Sequence, residues 1–510
     1  MRPVELLAGF KLIERLLPAR SRSREGGMVR YWDIANQIFP DTAGERPMSH
    51  WRRAIRRVLG DNFPVVRNGA IDPEVAATLA KRVFPMPDRE MSGSQWPRTL
   101  HCIGSLGAGG AERQLVNLLV ELADRGHHDQ TLLTMHPLEG DGAHYLTLLK
   151  SHAVDLRVNN KPIREEGVEL IRNNQTIVNL IRRMPYSFNA WTLDLWVDIA
   201  LAKPDVAHFW LDHCNIWGAP AALFAGVPSV VVSTRNVHPE NFPYLYAPYM
   251  KPWYNWLAQC PRVHFINNSR AGADSYAEWM GVPRSRFEVI VNGVNLEHLK
   301  PATTDQRERI RNEIGVPQQA TVVVGAFRMS EEKRPILFVD TFAEAAKDRP
   351  WLHAVLMGEG PYLEAVRARS AELGVSDRFH AVGRRTDLPQ VLSSMDVFLH
   401  TAWWEGTPNV VLEAQQLGIP VVVSKAGGAA DAVAHGETGY LVERDQTGQL
   451  ADRLIEILDN LPSWKRAAAR GPGFIAERFG VQRMVDQTYA LHRGVVGSQM
   501  LSRAKSKVEA

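Results

Sequence analysis

Three loops concentrate the residues whose types and spacing could do chemistry. The densest is Trp404-Glu405-Gly406-Thr407-Pro408-Asn409-Val410-Val411-Leu412-Glu413-Ala414. Thr407 is a helix-capping residue type and Pro408 suits a first helical position, so a helix is expected to open there. Glu405 then lies in the loop ahead of the helix. Glu413 lies nearly two turns inside it, and the two carboxylates mark two levels of one pocket. Carboxylates accept hydrogen bonds from hydroxyls, and free N–H groups over Gly406 to Val410 would face the same space. The set suits a polyhydroxylated ligand. A solvent-facing Glu413 is the plain alternative, but Val410, Val411, Leu412 and Ala414 make its surroundings apolar.

The second loop is Phe327-Arg328-Met329-Ser330-Glu331-Glu332-Lys333-Arg334-Pro335. Arg328 offers a planar fork and Lys333 a point charge, and cations so spaced just past a strand end can converge on a diphosphate. A solvated loop with Glu331 and Glu332 as partners is the alternative. The third loop, Ser105 to Arg113, carries Gly107, Gly109 and Gly110 between a strand and a helix. Glycines let a backbone approach a ligand, and a helix N-terminus offers N–H groups to an anion. The spacing is not G-x-G-x-x-G, so dinucleotide binding is not indicated. A fourth glycine turn, Lys425 to Asp431, is expected to lead into a helix on the same sheet edge.

These loops need strands to end where they begin. Short apolar runs alternate with helical patterns from about residue 100. Expected strands are Leu100–Gly104, Gln130–Met135, Val206–Phe209, Ser229–Ser233 and Val263–Asn267. A second array follows with Thr321–Phe327, Leu352–Met357, Phe379–Val382, Val397–His400 and Pro420–Ser424. Strands separated by helices mean parallel sheets, and such sheets bind ligands at their strands' carboxyl ends. The fold class is therefore α/β, with two facing Rossmann-like domains and an N-terminal extension. The expected division is a mostly helical extension over 1–95, a first domain over 96–300, a second over 301–475, a helix crossing back over 476–495 and a tail over 496–510.

The bulk composition fits. The chain has 510 residues, is 45% hydrophobic and carries a net charge of +3, which demands no nucleic-acid partner. Cys102, Cys214 and Cys260 are odd in number and far apart, which fits a reducing, cytoplasmic setting. The first residues carry charges at Arg2, Glu5, Lys11 and Glu14, unlike a secretory signal. The uncharged stretch 216–233 is broken by Gly218, Pro220, Gly226 and Pro228, and reads as a short buried helix, a turn and a strand, not a membrane span.

From Leu100 to His492 the chain resembles retaining glycosyltransferases of family 4, with the GT-B fold. The resemblance rests on Gly-Gly-Ala-Glu-Arg at 109–113, Val291-Asn292-Gly293-Val294-Asn295, the Arg328/Lys333 pair, Glu405 and Glu413 with Glu-Gly-Thr-Pro-Asn at their start, and Thr438-Gly439-Tyr440-Leu441-Val442. It implies a nucleotide-diphosphate-sugar donor, a UDP-sugar in this reading, as substrate and no separate cofactor. Arg328 and Lys333 would hold the donor diphosphate, and Glu405 with the N–H groups of Gly406, Thr407 and Asn409 around Pro408 would meet the donor sugar. Glu413 would bind the ribose, and Gly109 and Gly110 would allow closure. No Asp-x-Asp occurs in the chain, so the cations would take a metal's place. The implied acceptor is a lipid-linked or polysaccharide glycan of the cell envelope.

Relatives often place a His after the strand here represented by Ser229–Ser233, and either Arg235 or His238 stands in that role. Asp431 is one methylene shorter than the Glu common there. Tyr244 to Trp256 is unusually aromatic, and reads either as a helix packed on the first sheet or as a peripheral membrane or lipid contact. A sugar-nucleotide 2-epimerase of the same fold, or a non-catalytic nucleotide-sugar-binding subunit, remains the alternative function.

Overall fold

The computed structural model describes residues 96–159, 165–182 and 186–508. The expectations for residues 1–95 lie outside them. Two all-parallel sheets form the frame. The first has strands β1 (Thr99–Ile103), β2 (Gln130–Thr134), β3 (Asp155–Val158), β4 (Val206–Trp210), β5 (Ser229–Thr234), β6 (Val263–Asn267) and β7 (Phe287–Val289), in the order 3-2-1-4-5-6-7. The second has β8 (Thr321–Ala326), β9 (Leu352–Met357), β10 (Phe379–Gly383), β11 (Val397–His400), β12 (Val421–Ser424) and β13 (Gly439–Val442), in the order 10-9-8-11-12-13.

The apolar runs are continuous because helices cover both faces of each sheet. Successive side chains point to opposite faces. In β5, Val230 and Val232 enter one core and Val231 the other; in β8, Val322 and Val324 oppose Val323 in the same way. β3 and β7 escaped the sequence reading. Asp155–Val158 is a partly exposed edge strand, and Phe287–Val289 spans three residues, so neither offers a buried run. β13 coincides with a quoted motif, but Gly439 opens it and weakens its strand signal.

Each sheet changes direction once, between β1 and β4 and between β8 and β11. Crevices at such switch points are where ligands of parallel sheets bind. The loop after β1 is the glycine loop Ser105–Gly110, the loop after β8 holds Arg328 and Lys333, and the loop after β11 holds Glu405.

The stretch 216–233 folds as expected: the helix Asp212–Phe224 is buried from Cys214 onward and leads to β5. No described helix is long and apolar enough to cross a membrane. In the aromatic stretch, the helix Met250–Leu257 buries Trp253, Tyr254 and Trp256 against the first sheet's core, which is the packing alternative. The helix Val481–Val508 follows a strand-like contact with Val294 and packs Val481, Met484, Val485 and Val495 into the first sheet's core. Val294 N donates to Phe479 O at 2.7 Å, and Val481 N donates back to Val294 O at 3.1 Å. Further along, Asp486 pairs with Arg125 at 2.6 Å and Ser229 Oγ donates to Val495 O at 3.2 Å.

Candidate active site

After β8 the chain makes a single 3-10 turn, Glu331–Lys333, and Arg334 takes a left-handed φ of +48° before Pro335 opens a helix. Proline disfavours the right-handed helical conformation in the residue before it. The Arg334 guanidinium holds this conformation by donating to Thr401 O at 2.6 Å, Arg444 O at 2.8 Å and Ser424 Oγ at 2.9 Å. Arg334 is thus a strut, and it aims Lys333 at the loop after β11. There the Lys333 ammonium pairs with Glu405 Oε1, and His400 Nε2 at the end of β11 lies 3.1 Å from the same oxygen. Burial alone would raise the Glu405 carboxyl, but Lys333 and His400 prevail and hold it at about 2. Glu405 is therefore an ionised, buried acceptor.

Arg328 takes a different partner. Its Nη2 donates to Tyr244 OH at 3.0 Å and lies 3.1 Å from Glu332 Oε1, while Tyr244 OH donates to that same oxygen at 3.2 Å. Tyr244 belongs to the first domain, so the aromatic stretch reaches the second domain through its loop. Glu332, also bonded by Ser330 Oγ at 2.6 Å, is the acidic partner of this loop.

The helix of the Glu405–Glu413 segment runs Asn409–Gln416, with Pro408 in the capping position and not the first helical one. Thr407 does not cap it. Its hydroxyl donates 2.5 Å away to Asn268 O in the first domain. The expected capping role fails because a buried cross-domain acceptor is on offer. The late start also puts Glu413 little more than one turn inside the helix. Asn409 Oδ1 accepts from Asn292 Nδ2 at 2.8 Å and from Gln114 Nε2 at 3.2 Å, and Asn292 Nδ2 also donates to Thr407 O at 2.9 Å. Gly406 lies so close to Arg235 O and the Asn268 side chain that a Cβ there would collide with both. A Cβ at Gly110 would come 3.1 Å from Asn409 Nδ2, and one at Gly109 would strike the Glu112 carboxylate.

Glu413 is buried, not solvent-facing. Its Oε1 lies 2.5 Å from Arg113 Nη1 of the first domain, and its Oε2 has no hydrogen-bond partner. Burial raises its carboxyl above the ordinary range, against the pull of Arg113.

Arg235 and His238 separate. Arg235 donates from Nη2 to Asn292 Oδ1 at 2.6 Å, lies over the Trp210 ring, and is lowered by burial to about 9. It belongs to the cross-domain network. His238 stacks on Trp279 with centroids 5.6 Å apart, away from that network. The turn after β12 is a 3-10 turn, Gly427–Ala432, and not the expected α-helix, so Asp431 lies in its last turn. Lys425 there pairs with Glu443 at 2.7 Å.

The fold thus brings Lys333, Glu405 and His400 together, sets Glu413 on Arg113, and ties Thr407 and Asn409 to Asn268, Asn292 and Gln114. Sequence reasoning missed Arg113, His400, Gln114 and Tyr244 as members. Arg113 and Asn292 stood inside quoted motifs, and Tyr244 inside the aromatic stretch. Nothing in the sequence marked His400, which reads as the last residue of a buried strand.

The family Glycosyltransferase Family 4 matches residues 108–298, and Glycosyl transferases group 1 matches residues 306–472. The Vi polysaccharide biosynthesis protein VipC/TviE of Salmonella typhi is 29% identical over 456 residues, covering 84% of this chain and 77% of its own. The UDP-Gal:alpha-D-GlcNAc-diphosphoundecaprenol alpha-1,3-galactosyltransferase of Escherichia coli is 28% identical over 268 residues, covering 51% of this chain and 67% of its own. Among solved structures, Anabaena Alr3699/HepE in complex with UDP and glucose superposes with a TM-score of 0.62 at 22% identity, covering 78% of this chain and all of that one. With one family matching each sheet-bearing half, the chain belongs to the family 4, group 1 glycosyltransferases of GT-B fold.

Proposed function

We propose that this enzyme transfers a sugar from a UDP-sugar to a lipid-linked or polysaccharide glycan acceptor of the cell envelope, with retention and without a metal. The observation that carries the reading is the buried Lys333–Glu405 pair at the carboxyl edge of the second sheet, with Glu413 on the next turn of the same segment. A cation there offsets negative charge as the diphosphate leaves. Glu405 and Glu413 offer ionisable acceptors to sugar and ribose hydroxyls, and Arg328 stands at the rim as the second cation.

The C1–O bond to the diphosphate breaks with its electron pair going to the phosphate. The acceptor hydroxyl oxygen then bonds C1 from the same face, and its proton passes to the leaving phosphate. The UDP of the Anabaena structures and the UDP-Gal of the Escherichia coli relative support the base. The polysaccharide and diphosphoundecaprenol in the relatives' names support the acceptor class.

Calorimetric titration with UDP, GDP and ADP tests the donor. UDP binding that is lost in Lys333→Ala supports the reading. Failure of all three to bind overturns it, and conversion of the donor sugar without any acceptor would favour an epimerase.

A further inference from the structure

The Glu413 carboxylate takes its cation from the other domain. Arg113, the fourth residue of the helix Gly110–Asp124, reaches across the cleft to its Oε1. The same turn of helix is fixed in place twice more. Gln114 Nε2 donates to Asn409 Oδ1, and Gln114 Oε1 accepts from Gly293 N at 2.7 Å. Arg113 is therefore delivered to Glu413 only while the first-domain helix and the Asn409 helix stay together.

We propose that Arg113 is a positioning residue that completes the Glu413 carboxylate when the two domains meet, so that recognition of a nucleotide's ribose diol depends on closure of the cleft. This rests on the donor-site reading above. The division of labour between the two oxygens supports it. Oε1 is taken by Arg113, and Oε2 is buried with no partner, which leaves an acceptor for a hydroxyl. Without Arg113 beside it, the buried Glu413 carboxyl has burial to raise it and no cation to oppose that rise. Such a carboxyl is protonated more easily, and the neutral acid is a weaker acceptor than the ion. Arg113 is the charged group that opposes burial at Glu413. Tyr145 of the first domain also faces the pair, with Glu112 and Arg384 beside it. Burial raises Tyr145 above its ordinary range and raises Glu112 as well, so Glu112 is the group to separate from Glu413 in any titration.

The experiment is calorimetric titration of the full chain with UDP and 2′-deoxy-UDP between pH 5 and 8.5. Wild type is expected to prefer UDP over the deoxy compound by about tenfold or more, the scale of a hydrogen bond to a charged group. In Arg113→Met the acid-side fall in UDP affinity is expected to move up by about one pH unit or more, and the preference for UDP to shrink at the acid end. Arg113→Lys is expected to restore both. The shift should persist in a Glu112→Gln background and vanish with Glu413→Gln. If Arg113→Met binds UDP with the wild-type pH profile and the wild-type preference, the proposal is overturned. If Arg113→Met does not fold, an Arg113→Lys profile displaced further than wild type in the acid direction overturns it equally. Wild type that binds no nucleotide overturns the donor-site reading itself, a result distinct from either of these.

Discussion

Lys333 and Glu405 stand 72 residues apart on loops that follow β8 and β11, and they share one ion pair at the switch point of the second sheet. Each strand ends beside the other, so the pairing follows from topology. With His400, the ammonium keeps a buried carboxylate ionised, and the carboxylate holds the ammonium where a leaving diphosphate needs positive charge. A substitution at either end therefore disturbs both charge and position.

Lys333→Ala removes the cation and leaves Glu405 with His400 alone. Turnover is expected to fall by roughly 10² to 10³, the scale of losing one preorganised electrostatic partner. Because the orphaned carboxylate is buried, stability is also expected to fall, by about 3 kcal/mol or more. Glu405→Gln should lower turnover comparably, and the double variant should lose little beyond the worse single one, since the residues act as a unit. Steady-state kinetics and thermal denaturation read these effects. Unchanged turnover in both single variants removes the pair from the mechanism.

The sequence carried the loops further than it carried their partners. Val421–Val423 and Val322–Val324 announced buried parallel strands, and the loops after them announced a site, because continuous apolar runs and glycine turns are local signals. What the chain does across the cleft is not local. Thr407 is a good cap by type, yet its hydroxyl serves Asn268, which only the assembled domains bring near. Arg113 and Glu413 lie 300 residues apart and meet for the same reason. His400 was illegible because a histidine that ends a buried strand looks like core until the neighbouring loop supplies a carboxylate.

Gly406 tests the cross-domain fit apart from charge. A methyl group at this position would strike Arg235 O and the Asn268 side chain of the first domain. The backbone there must yield or the domains must part, and a displacement of about 1 Å in a positioned site costs on the order of 10² in rate. Gly406→Ala is expected to reduce kcat/KM on that scale while leaving thermal stability within about 2 kcal/mol, because neither sheet core is touched. Wild-type kcat/KM in this variant would show that the loop and Asn268 need not approach as closely during turnover.

The return of the C-terminal helix to the first sheet predicts an acid-sensitive stability. His101 on β1, His208 on β4 and His492 on the Val481–Val508 helix are fully buried together, with His208 Nδ1 and His492 Nε2 3.2 Å apart and Trp210 Nε1 donating to His101 Nδ1 at 3.3 Å. Burial holds all three neutral. His492 falls to about 3 under burial and the nearby His127, while His101 and His208 lie well below the ordinary value, with Arg235 also opposing a charge on His208. Folded-state values below the unfolded one mean that the unfolded chain takes up protons first. The stability is therefore complete above the ordinary imidazole value of about 6.5 and is lost progressively as the pH falls from there toward 3, by up to about 1.4 kcal/mol per group for each pH unit. His492→Gln keeps a polar group facing His208 and removes one titrating site. Its melting temperature is expected to fall less steeply than that of wild type between pH 6.5 and 4.5, with the two curves parallel above pH 7. Denaturation scans across that range decide it: an unchanged slope in His492→Gln would mean that the loss on acidification comes from other groups, and that this helix stays seated when the cluster is challenged with protons.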